Sequence, residues 1–73
     1  MSTALALVSV LTAREREVLE LVAEGRTNQA IGHALALSPR TVAKHLEHSY
    51  RKLDVSCRTQ AVVVVLRERA GPA

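Results

Sequence analysis

The sequence contains neither Phe nor Trp, and Tyr50 is its one aromatic residue. That scarcity excludes recognition by base stacking, because single-strand nucleic-acid binders of the RNA-recognition-motif, oligonucleotide-barrel and cold-shock types need several exposed rings. It also leaves the core to Leu, Val, Ile and Ala. The single cysteine, Cys57, can form neither an internal disulfide nor a zinc site by itself, and with no adjacent His it reads as an inert small residue. A reducing, cytoplasmic setting is therefore expected, with no metal and no cofactor. The chain also lacks a long apolar run. Its first ten residues, MSTALALVSV, are apolar but too short to cross a bilayer and lack the positive start of a signal peptide, so 1–10 is expected to be a tail or linker stub and no membrane partner is expected. Paired carboxylates, a nucleophile beside a base and a Gly-rich phosphate loop are likewise missing. The 73 residues suffice for one domain that buries only about 60% of its unfolded surface, too little for a deep cleft, and no catalysed chemistry is expected.

What is present is a succession of helix signals. Thr12 and Glu15 form the capping box Thr-x-x-Glu, Val18, Leu19, Leu21 and Val22 recur at helical spacing, and Gly25 is a left-handed stop, predicting a helix over 13–24. Thr27 is the next cap, with Ile31, Ala34 and Leu35 as a short apolar stripe over 28–36. Within it, Gly32 is read as a place where helices two and three approach closely. Ser38 followed by Pro39 is a strong start for a helix over 39–53. At 100° per residue this helix gathers Val42, Leu46, Ser49 and Leu53 on one face and fans Arg40, Ala43, Lys44, Glu47, His48 and Arg51 across the other. The run AVVVVL at 61–66 favours a strand on intrinsic preference, but its flanks decide for a helix over 58–70: Ser56 or Cys57 with Gln60 at its start, Arg67 to Ala70 as helix formers, Gly71-Pro72 as a stop. The expectation is an all-α four-helix bundle containing a helix-turn-helix, with the domain at 11–70 and a C-terminal tail at 71–73.

The charge is local. Residues 38–58 carry Arg40, Lys44, Arg51, Lys52 and Arg58 against Glu47 and Asp54, whereas 12–37 carry a net of −1. A surplus confined to helix three and its exit suits a surface that faces phosphates.

With these residues in place, the stretch LTAREREVLELVAEGRTNQAIGHALALSPRTVAKHLEHSYRKLDVSCRTQAV resembles the LuxR-type helix-turn-helix domain of bacterial transcription regulators over about residues 11–66. The resemblance rests on Leu11-Thr12, Arg14 to Leu19, Gly25, Thr27-Asn28, Ser38 to Val42, Lys44-His45-Leu46, Lys52-Leu53 and Val55. It implies sequence-specific binding of double-stranded DNA, with helix three in the major groove, helix two crossing near the backbone and helix four forming a homodimer contact. Base-facing positions then fall on Ala43, Lys44 and Glu47, and phosphate-contacting ones on Thr27, Asn28, Arg40, Thr41, His45 and Lys52. Arg51 joins the phosphate set and His48 is a weaker base-contact candidate. The dimer interface is expected at Val64, Val65 and Glu68.

Physical chemistry supports the same residues. Lys44 can donate to guanine O6 and N7, and Ala43 can touch a thymine methyl. Glu47 has two readings, an acceptor for cytosine N4 or an intrahelical partner for Arg51 four residues on. His45 is either a phosphate contact or a half-buried packing residue. The sequence also departs from the family pattern: Ala43 replaces a longer side chain, Ala30 a Glu, Ser49 an apolar residue, and Cys57 a better helix cap. A second function class remains in view, a helical protein-interaction module that docks on RNA polymerase or a receiver or sensor domain through helix three.

Overall fold

The computed structural model describes residues 10–71. Four helices, and no strand, occur among them: α1 (Ala13–Ala23), α2 (Asn28–Leu35), α3 (Pro39–Leu53) and α4 (Arg58–Ala70). The all-α expectation holds, and the last two helices have the expected limits. Of the expected tails, 1–9 and 72–73 lie outside the described residues.

α1, α2 and α3 start where a side chain satisfies an orphan backbone donor. The Thr12 hydroxyl accepts from Glu15 N at 3.1 Å while Thr12 N donates to the Glu15 carboxylate at 3.0 Å, the reciprocal capping box. Thr27 Oγ1 accepts from Ala30 N, and Ser38 Oγ from Thr41 N, each at 3.1 Å. Cys57, the N-cap of α4, makes no side-chain cap bond. Gln60 compensates by reaching back, its Oε1 accepting from Ser56 N at 2.8 Å.

Two helices end earlier than expected. α1 stops at Ala23, with Glu24 as its C-cap and Gly25 in the left-handed region at φ 86°. α2 stops at Leu35 because Ala36 turns left-handed at φ 58°, a conformation that glycine favours and a Cβ resists. Gly32 explains the tightness of this turn. Leu37 N donates to Gly32 O at 2.7 Å, and a Cβ at position 32 would run into the Leu37 carbonyl oxygen. The close approach is thus to the chain's own turn rather than to the body of α3.

The core is aliphatic, as the lack of rings requires. Val18, Leu19 and Val22 of α1, Ile31 of α2, Val42, Leu46 and Leu53 of α3, and Ala61 and Val65 of α4 are buried together with Leu11. α1 packs on α3 and α4, and α2 chiefly on α3. Tyr50 packs half-buried at the edge of this core. Ser49, fully buried within it, donates its hydroxyl to His45 O at 2.8 Å, so its polarity is satisfied inside its own helix.

Candidate nucleic-acid interface

α3 divides its side chains sharply. Val42, Leu46, Ser49 and Leu53 face inward, while Arg40, Thr41, Ala43, Lys44, Glu47, His48 and Arg51 are exposed. His45 lies between, half-buried. Among the described residues neither Arg40 nor Lys44 has a carboxylate partner. Glu47 and Arg51 approach to 3.9 Å with most of each side chain in solvent, a loose intrahelical pair that leaves both accessible.

Lys52, expected at a phosphate, also has a partner within the chain. Its Nζ donates at 2.8 Å to Glu15 Oε1, the same oxygen that accepts from Thr12 N. Glu15 itself is 4% exposed. Burial pushes its carboxyl up, but the hydrogen bond from Lys52, the Thr12 bonds and the Lys52 charge together outweigh that and hold it below its ordinary value. The capping box was legible in sequence; the partner 37 positions away was not.

The N-terminus of α2 brings Thr27 and Asn28 to the surface beside another residue that the sequence pattern did not single out. Arg58, the first residue of α4, donates through Nη1 to Asn28 Oδ1 at 2.9 Å and through Nη2 to the Arg26 carbonyl. The available signals were electrostatic: Arg58 belongs to the basic surplus of 38–58, and a cation in the first turn of a helix opposes the helix dipole and needs another reason to be there.

On α4 the expected dimer residues separate. Val65, expected at the dimer contact, is 7% exposed and packs in the chain's own core, because Ala61 and Val65, four apart, form the inward face. Val64 and Glu68 are half-buried, and the exposed apolar side chains are Val63 and Leu66. No group of three or more His, Cys, Asp or Glu among the described residues could hold a metal ion, and no helix among them is long and apolar enough to cross a membrane.

Residues 9–65 match the pattern of the family described as GerE, "Bacterial regulatory proteins, luxR family". The chain belongs to this LuxR family. Similar proteins include the transcriptional regulatory protein LiaR of Bacillus subtilis (strain 168), 51% identical over 57 residues that make up 78% of this chain and 27% of LiaR. The transcriptional regulatory protein DegU of Brevibacillus brevis is 48% identical over 54 residues, 74% of this chain and 23% of DegU. The spore germination protein GerE of Bacillus subtilis (strain 168) is 45% identical over 58 residues, 80% of this chain and 78% of GerE. The chain thus matches less than a third of LiaR and DegU and most of GerE. In this LuxR-family chain the matched segment contains α1, α2, α3 and the first half of α4, including every residue of the exposed α3 face.

Proposed function

We propose that this chain binds double-stranded DNA sequence-specifically as the DNA-binding part of a bacterial transcription regulator. α3 enters the major groove, with Ala43, Lys44, Glu47 and His48 toward base edges. Thr27, Asn28, Arg40, Thr41, His45 and Arg51 address phosphates. Lys52, which also holds Glu15, joins them from the last turn of α3. Two copies associate through α4, with Val64, Val65 and Glu68 at the contact, and read half-sites about 10 base pairs, or a multiple of that, apart. The observation that carries this reading is the two-sided character of α3, apolar and buried on one side, cationic and polar on the other, with no carboxylate partner for Arg40 or Lys44 among the described residues.

Selection of bound sequences from random duplex DNA tests it, with wild type and Lys44→Ala run in parallel. Wild type is expected to enrich a motif, and the variant to lose preference at one base pair per half-site with an affinity loss of roughly tenfold to hundredfold. Unchanged affinity and motif for Lys44→Ala would instead favour docking of α3 on a protein partner.

A further inference from the structure

We propose that Arg58 is a positioning residue for phosphate recognition: its forked guanidinium holds the Asn28 carboxamide so that Nδ2 is turned outward as a donor to a DNA phosphate oxygen. The proposal rests on the DNA-binding reading above and adds to it a residue on a different helix. Its basis is donor and acceptor complementarity. Arg has only donors, whereas the Asn carboxamide has an acceptor on one side and a two-hydrogen donor on the other. With Nη1 of Arg58 at 2.9 Å from Oδ1, the amide orientation is decided, and Nδ2 takes the opposite side. Among the described residues Nδ2 has no acceptor.

The guanidinium is not free to follow Asn28 if that side chain rotates. Nη2 is anchored on the carbonyl of Arg26, the residue before the Thr27 cap, so the two arms of the fork grip both sides of the cap that starts α2. One side chain from the start of α4 thereby connects the helix proposed for self-association with the end of α2 proposed to meet the DNA backbone. A freely rotating Asn28 would have to give up that freedom when its Nδ2 meets the phosphate; the clamp fixes the orientation beforehand.

The test is a double-mutant cycle on the affinity of the full chain for a mixed-sequence DNA duplex, across Asn28→Ala, Arg58→Ala and the pair, with thermal unfolding of each protein measured alongside. The expected result is a loss of about tenfold for each single variant and little further loss in the pair. Arg58→Lys keeps the charge but not the fork and serves if removal of the side chain prevents folding; it is expected to lose about threefold or more, with the loss absent in the Asn28→Ala background. Asn28→Asp gives a split that a purely structural clamp would not: it retains the acceptor for Arg58, so melting stays at or above wild type, while affinity falls. Losses that multiply to about a hundredfold in the pair, or an Asn28→Ala chain that binds as wild type does, overturn the inference alone. A wild-type chain that binds no duplex overturns the DNA-binding reading as well.

Discussion

At Glu15 a single buried carboxylate oxygen accepts from its own helix start and from a lysine of α3, whose own side chain stays partly in solvent. Sequence spacing reveals the local half of this arrangement because a capping box is defined within four residues, whereas the Lys52 partner depends on how α1 and α3 pack. The same limit applies to Arg58, whose partners lie about 30 positions back. Glu15→Gln preserves shape and the backbone contact but not the charge. It is expected to lower unfolding free energy by about 1–2 kcal/mol in urea titration, a modest value because the released Lys52 can reach solvent. Since folding holds the Glu15 carboxyl below its ordinary value, its stabilisation is complete at neutral pH. That stabilisation is lost as the pH falls through the carboxylate range to the folded value. Stability measured against pH should therefore fall less steeply on the acid side for Glu15→Gln than for wild type.

At the scale of elements, α3 was the most legible, since Ser38-Pro39 marks its start and its 3.6-residue period is unbroken for 15 residues. α4 was read correctly against the strand preference of four consecutive valines, because a packed inner face at Ala61 and Val65 outweighs intrinsic preference. Its facing was less legible: a helix apolar nearly all round does not declare which stripe goes inward, and Val65, expected at the dimer contact, lies on the inward one. The turn between α2 and α3 escaped sequence reading for another reason. Its left-handed residue is Ala36 rather than Gly, and the glycine sits instead at position 32, where the turn folds back on the helix. Two substitutions are expected to act in opposite directions here. Ala36→Gly should raise stability by up to about 1 kcal/mol by relieving the positive φ. Gly32→Ala should lower it by about 1–3 kcal/mol, because overpacking against backbone exceeds the gain in helix propensity. Thermal melts of the two variants check both signs, and a stabilised Gly32→Ala would show that the turn can move away.

Across the whole molecule, a net charge of only +3 becomes meaningful through its placement. α1 carries carboxylates, with Arg14 and Glu17 paired on its surface at 3.6 Å, whereas α3 presents Arg40 and Lys44 without carboxylate partners among the described residues. A small aliphatic core holds that helix in place, and no aromatic platform competes with duplex recognition. The most direct test of this account is the dependence of duplex DNA affinity on salt. If each of two subunits neutralises about four phosphates, log K plotted against log salt should fall with a slope near −7. A slope indistinguishable from zero would contradict binding through the cationic face of α3.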